Sequence, residues 1–338
     1  MDQIGHCPVC GAALANARCP RCSPEPVADG NPYQPPDALS PPGLPTVWVE
    51  ALAERRPRVW PSVVMAILAI PIAIIVSTAA LLLALALYGP ANWMASPQKL
   101  MDWVGEFAAT PVGFMIVFLP GQLVFATLAI GVGAFSRQPL LERLALVRGR
   151  MPGWSIPALM VATPLVPMLT MLAIPWLGES PSEQMKFLDQ LFRDPTGLMA
   201  WFIVGFVSIV PAIVEEALFR GYVQSRLLRR WPAFFAIAFT SVMFSAAHVD
   251  PQHVIAVFPL SVWLGIVAWR AGSIWPAVAC HFANNFVGSL FSRFGGEPTE
   301  AALDVATLLP LGICGLAFIP AAYALLRFGR PAAPSELA

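Results

Sequence analysis

The amino-acid sequence predicts an all-α protein, a polytopic membrane helix bundle of about eight transmembrane helices. Of its 338 residues, 57% are hydrophobic and 12% are charged, whereas soluble domains carry roughly 25% charged residues. The apolar residues also form long runs, and a helix that crosses a bilayer needs ~20 of them. The formal net charge is zero, so the composition gives no indication of a nucleic-acid partner.

The N-terminus carries a separate pattern of cysteines. Four of the six cysteines lie in the first 22 residues, where Cys7 pairs with Cys10 and Cys19 with Cys22 in two C-x-x-C units. Because each unit can point two thiolates at one ion, residues 1–22 are predicted to form a small zinc ribbon. Two disulfide-bonded pairs or a redox pair are the alternatives. Such a ribbon could bind a protein partner or only fold around its ion. Reduced thiolates need a reducing compartment, which indicates a cytoplasmic N-terminus.

The rest of the chain divides by composition. Segment 23–58 is rich in proline and predicts a semi-rigid or disordered linker. Residues 59–151 and 152–328 are predicted to hold the transmembrane helices, and residues 329–338 are predicted to form a cytoplasmic tail. The predicted spans are approximately 59–88, 111–135, 154–176, 196–218 with a continuation to 230, 233–247, 253–269, 274–291 and 305–325.

Arginines cluster in alternate connections of these spans. They precede the first span and follow the second, fourth, sixth and eighth, whereas the other connections contain few Lys or Arg residues. By the positive-inside rule, both termini are expected on the cytoplasmic side. Two short amphipathic helices are expected on the opposite membrane surface. One covers residues 98–107, and the other follows a capping box formed by Ser180 and Glu183.

Polar side chains one helical turn apart recur three times in the last third of the chain. The patterns are Glu215-Glu216-x-x-x-Arg220, Phe244-x-x-x-His248 and His281-x-x-x-Asn285, with Asn284 as a further amide. Ionisable groups are costly in lipid, so they usually face a bundle interior or a wet cavity and indicate function. We therefore expect these residues to converge around one pocket.

The two adjacent glutamates are expected to have different roles. Successive helical residues point about 100° apart, and Glu216 stands in the i,i+4 relation to Arg220 that favours an ion pair. Glu215 is then left to face the pocket as a general base. The alternative is a structural charge cluster that joins helices, with the histidines as packed or interfacial residues. His253, in a short predicted loop, is interpreted as a surface residue.

Together the three motifs resemble the CPBP intramembrane proteases. This family includes the type II CAAX prenyl endopeptidases, bacteriocin-processing and self-immunity proteins, and Abi-type proteins. The residues that carry the resemblance are Glu215-Glu216-Ala-Leu-Phe219-Arg220-Gly221, Phe244-Ser-Ala-Ala-His248 and Trp275-Pro-x-x-x-Cys-His281-x-x-Asn284-Asn285. They occur in the order expected of the family, and the resemblance extends over roughly residues 152–328.

The resemblance implies an endopeptidase that hydrolyses a peptide bond of a membrane-bound or membrane-proximal protein or peptide. Glu215 and His248 would activate the attacking water. His281 and Asn285 would complete the centre, either as donors to the developing oxyanion or as part of a metal site. In the second case Glu215, His248 and His281 are the possible zinc ligands.

In the same resemblance, Glu216 and Arg220 orient their helix and support the centre. A zinc-ribbon fusion and a Pro-rich linker favour a bacterial inner-membrane protein, for which a prenylated substrate is not assumed. Two other classes of protein could use the same pocket. One is a non-catalytic scaffold or peptide-immunity protein, and the other is a transporter in which Glu215 relays protons.

Overall fold

The computed structural model describes residues 59–90, 96–134, 139–173, 181–295 and 305–329. The predicted zinc ribbon, the linker and nearly all of the tail lie outside the described residues. Every regular element within these ranges is helical. The helices are α1 (Trp60–Tyr88), α2 (Pro97–Ala108), α3 (Pro111–Ala134), α4 (Leu140–Arg143), α5 (Ser155–Ala162), α6 (Leu165–Ala173), α7 (Glu183–Arg193), α8 (Gly197–Glu216), α9 (Ser225–Leu227), α10 (Ala233–Ala246), α11 (Pro251–Ala271), α12 (Trp275–Phe294) and α13 (Val305–Phe328).

Five helices in the described part of the chain are long and apolar enough to cross a membrane. They are α1, α3, α8 with its continuation to Leu227, α11 and α13. The protein is therefore a multi-pass membrane protein, but the predicted number of eight spans is not confirmed. The predicted third span is divided into α5 and α6 at Pro164, which cannot donate a backbone hydrogen bond. Two other predicted spans are not among the five. Helix α10 has only 14 residues, and α12 carries the polar residues of the third motif.

Both short amphipathic helices that the sequence predicts are present, as α2 and α7. Helix α7 begins at Glu183, and its N-cap is Ser182, whose side chain accepts a hydrogen bond from the Met185 N–H. The predicted capping residue, Ser180, is therefore two residues earlier in the sequence than the observed N-cap, Ser182. Leu191, on the apolar face of α7, is buried in a cluster with residues of α3 and α8, so α7 packs onto the bundle.

The chain between α8 and α9 is a π-helical segment, Ala217–Gln224, in which the Ser225 N–H donates to the Arg220 carbonyl five residues earlier. Such wide turns are found frequently at functional sites. Gly221 in this segment lies against the backbone of Leu144, where an added Cβ would be 2.5 Å from the carbonyl oxygen. The missing side chain permits this close approach, while Arg220 and Gln224 reach across to α11.

Helices α8 and α12 form the centre of the bundle. Helix α12 packs against α5, α7, α8 and α11, while α8 and the π-helical segment also contact α1, α3 and α10. The first motif lies at the end of α8, His248 lies just after α10, and the third motif lies on α12. This packing brings the three motifs together in the interior of the bundle.

Candidate active site

A buried group of three charged or ionisable side chains joins the first motif to the third. Glu216 Oε1 is 2.9 Å from Arg220 Nη1 and 3.0 Å from His281 Nδ1. Glu216 and Arg220 are completely buried, and His281 is 4% exposed. The i,i+4 pair that the spacing predicts is thus present, and the same carboxylate also holds α12 against α8. A buried charge is tolerated only when it is paired, so the burial of each of these side chains requires the others.

Arg220 extends this contact to two further helices. Its Nη2 donates to both the carbonyl oxygen and the hydroxyl oxygen of Ser261 on α11, each at 2.8 Å. Its guanidinium carbon lies 4.2 Å from the ring centroid of Phe244 on α10, which is a cation–π distance. Arg220 therefore connects the π-helical segment, α10 and α11 around the site.

The ring of Phe244 contacts both motif histidines. Its centroid is 5.5 Å from that of His248 and 5.7 Å from that of His281. Glu215 and His281 are also close enough to His248 to act on it electrostatically. The structure thus places the imidazoles of two motifs on one phenyl ring, with the Glu215 carboxylate of a third motif within electrostatic range of His248.

The hydrogen bonds of the two histidines indicate which ring nitrogens carry protons. His248 Nδ1 lies 3.2 Å from the Phe244 carbonyl oxygen, and because a carbonyl only accepts, this nitrogen must donate. His281 Nδ1 likewise faces the Glu216 carboxylate, which also accepts. In a neutral imidazole the other nitrogen then carries a lone pair. Nε2 of His248 is therefore an acceptor that can hold a water molecule or a substrate N–H.

Glu215 differs from Glu216 in its surroundings. It keeps 8% of its surface exposed, and its Oε1 accepts a hydrogen bond of 3.0 Å from Gln122 Nε2 on α3. Gln122 lies outside the region to which the motif resemblance extends, and it was not among the predicted site residues. One amide in an otherwise apolar span was the only signal that could have identified it.

The turn that follows His248 is strained and well connected. Val249 has a φ of +65°, a backbone conformation that is unfavourable for a β-branched residue. The His248 carbonyl accepts hydrogen bonds from Asp250 N at 2.7 Å and from Gln184 Nε2 of α7 at 3.1 Å. Strain of this kind persists only when the surroundings hold it, so the turn and α7 together determine where His248 lies.

The interpretation of His253 as a surface residue was wrong. His253 lies in the first turn of α11, where Asp250 Oδ1 accepts a hydrogen bond of 2.9 Å from its backbone N–H. Its ring centroid is 4.5 Å from that of His248, and its side chain is partly buried. The sequence suggested only a short loop here. Because α11 begins at Pro251, its first turn carries His253 back to His248.

The amide of Asn285 is engaged with the backbone of α8. Its Nδ2 donates to the Val207 carbonyl oxygen at 3.1 Å, and its Oδ1 accepts from Asn284 Nδ2 at 3.2 Å. A role as a donor to an oxyanion, which the resemblance implies, would have to use the second proton of the same Nδ2. Asn285 therefore lies one turn from His281 but already has a structural partner.

The resemblance offers Glu215, His248 and His281 as zinc ligands, and two of these side chains already have hydrogen-bond partners through one of their polar atoms. Glu215 Oε1 accepts a hydrogen bond from Gln122, and His281 Nδ1 contacts Glu216. Within the described ranges, no group of three or more His, Cys, Asp or Glu side chains is positioned to hold a metal ion. The four N-terminal cysteines lie outside the described residues.

Comparison with known proteins locates a similarity at the same segment. Residues 197–287 match the family model described as type II CAAX prenyl endopeptidase Rce1-like. This segment is shorter than the region 152–328 predicted from the motifs, but it contains all six predicted catalytic residues, Glu215, Glu216, Arg220, His248, His281 and Asn285. No curated protein and no solved structure gives a significant match. The matched segment supports the resemblance of this chain to the CPBP intramembrane protease family.

Proposed function

We propose that this chain is an intramembrane endopeptidase that hydrolyses a peptide bond of a membrane-bound or membrane-proximal protein or peptide. The observation that carries the proposal is the contact of His248 and His281 with one Phe244 ring, with Glu215 within electrostatic range of His248, inside an apolar bundle. A carboxylate base and imidazoles beside one another are the groups that activate water. The similarity of residues 197–287 to a family of endopeptidases supports the same class of reaction.

In the proposed reaction Glu215 is the general base. It takes one proton from a water molecule that His248 Nε2 holds, while the water oxygen forms a bond to the carbonyl carbon of the scissile peptide. When the carbon–nitrogen bond breaks, the proton on Glu215 passes to the leaving amine, and the water oxygen remains in the new carboxyl group. The hydrogen bond from Gln122 to Glu215 Oε1 keeps the carboxylate in place through these steps.

The buried residues beside Glu215 hold together the helices that carry the proposed catalytic groups. Glu216 and Arg220 join α8 to α10, α11 and α12. Glu216 also orients the His281 ring by accepting from its Nδ1. Holding reacting groups in a fixed geometry contributes strongly to catalysis, because a displacement of ~1 Å can cost about 100-fold in rate.

Hydrolysis can be tested with the purified chain in liposomes. Two peptide probes are offered in water enriched in oxygen-18: a farnesylated C-a-a-X peptide and an unprenylated peptide with one transmembrane segment. We expect at least one probe to be cleaved internally, with one labelled oxygen in the new carboxyl group. Folded protein that cleaves neither peptide would contradict the proposal, and retention of an uncleaved peptide would then favour a scaffold or immunity protein.

We also propose that Cys7, Cys10, Cys19 and Cys22 bind one zinc ion per chain. A variant with these four cysteines replaced by serine is expected to lose this zinc and to keep its hydrolytic activity, because every residue with a part in the proposed reaction lies in the bundle. Elemental analysis of the purified full-length chain measures the metal. Replacing Cys280, a single buried cysteine, is the matched control and should leave the zinc content unchanged. Zinc retained by the fourfold variant would point instead to a metal within the bundle.

A further inference from the structure

Helix α8 contains a proline one helical turn before Glu215. Pro211 lies inside the helix, and proline has no backbone N–H to donate to the carbonyl four residues earlier. The carbonyl that loses its donor is that of Val207. In a bundle surrounded by lipid no water is available to replace such a donor, and the helix needs another partner for this oxygen.

Asn285 supplies that partner. Its Nδ2 donates to the Val207 carbonyl oxygen at 3.1 Å, and Asn284 Nδ2 donates to its Oδ1 at 3.2 Å. The second contact is consistent with the orientation of the amide, since it requires Oδ1 to point away from Val207. Asn285 is four residues from His281 on α12, so the contact lies one turn from an imidazole of the site.

We infer that Asn285 is a positioning residue, and that its amide replaces the hydrogen bond which Pro211 removes from Val207. Two contacts then join α8 to α12, Glu216 to His281 at 3.0 Å and Val207 to Asn285 at 3.1 Å. Together they hold His281 at one height along α8. The consequence for the reaction rests on the proposed function, but the contact itself does not. This role differs from that of a donor to the oxyanion, because Asn285 acts here through α12.

The inference requires a specific coupling between residues 211 and 285. In a Pro211→Ala variant the new N–H can donate to the Val207 carbonyl, so this oxygen no longer needs the Asn285 amide. Pro120 in α3 provides the matched control. The carbonyl that it releases is that of Ile116 on α3, whereas Asn285 donates to Val207 on α8, so Pro120→Ala removes a helix proline outside the pair.

The experiment is a double-mutant cycle read by thermal unfolding of the full chain in detergent. Asn285→Ala is expected to lower the apparent Tm by about 2–10 °C, because it leaves a partly buried carbonyl without a donor. In the Pro211→Ala background the same change should cost less than half as much, whereas in the Pro120→Ala background the cost should be undiminished. Equal costs in all three backgrounds would overturn the inference. If Asn285→Ala alone does not fold, recovery of folded protein in the double variant supports the pairing, and no recovery overturns it.

The same variants are then compared in the liposome assay with the two peptide probes. Asn285→Ala is expected to lower kcat by about 100-fold with little change in KM, and Pro211→Ala is expected to restore most of that loss. If the Tm values are coupled but kcat is not restored, Asn285 contacts the reacting atoms itself and the positioning role is wrong. If the wild-type chain cleaves neither probe, the proposed function fails, and the Tm cycle still decides whether the pairing exists.

Discussion

Replacing Glu215 by glutamine is expected to slow peptide hydrolysis by about 10²–10⁴-fold. Glutamine has the shape of glutamate, and its Oε1 can still accept the hydrogen bond that Gln122 donates to Glu215 at 3.0 Å. The local structure should therefore survive. An amide cannot take the proton from the attacking water, so the loss should appear in kcat rather than in KM. The rate of probe cleavage in liposomes, with the apparent Tm in detergent, measures both parts of this expectation.

Two further variants make the result specific. Glu183 on α7 has a side chain that is 83% exposed, and Glu183→Gln should change neither rate nor Tm. Gln122→Met removes the donor to Glu215 at similar volume, so its loss of kcat should be smaller than that of Glu215→Gln. A Glu215→Gln protein that cleaves the probes as fast as the wild type would show that Glu215 is not the base, whatever else the chain does.

Removing Arg220 is expected to destabilise the fold by about 3–5 kcal/mol, because one charge of a buried pair is left without its partner. Arg220→Met would leave His281 as the partner of the completely buried Glu216 and would remove both hydrogen bonds to Ser261. The yield of monodisperse protein in detergent and its apparent Tm measure the effect.

A double variant distinguishes the effect of the unpaired charge from the effect of the changed side-chain volume. When Glu216→Gln is added to Arg220→Met, the uncompensated charge disappears, and part of the stability should return. The exposed pair of Lys186 with Glu183, whose side chains are 53% and 83% exposed, is the comparison, because Lys186→Met should cost less than about 1 kcal/mol. An Arg220→Met protein as stable as Lys186→Met, or a double variant less stable than the single one, would contradict this account.

Long apolar runs were enough to predict the class of the protein and most of its helices. The predicted spans 59–88 and 305–325 correspond to Trp60–Tyr88 and Val305–Phe328. A helix satisfies its own backbone, so twenty apolar residues in sequence already indicate a membrane span. The number of spans was less predictable, because hydropathy does not reveal that Pro164 divides one helix or that α12 has polar residues among its buried side chains.

The pairing of Glu216 with Arg220 could also be predicted, because residues four apart in a helix always share a face. The convergence of His248 with His281 was expected only from the cost of ionisable groups in lipid, and the spacing of the residues could not predict its geometry. Counted along the predicted spans, the two histidines lie at depths that differ by roughly 12 Å. Their meeting at Phe244 depends on how α10 and α12 are placed against α8. The spacing of residues within one helix does not show how that helix packs against others.

By itself, the sequence determined that this chain is helical, lies in a membrane and carries three polar motifs with an i,i+4 ion pair, since these properties depend on composition and on the period of one helix. Only the tertiary structure decided that Gln122 contacts Glu215, that His253 lies beside His248 and that Asn285 reaches Val207. Each of these contacts joins residues of different helices or lies across a turn, and its geometry follows from packing.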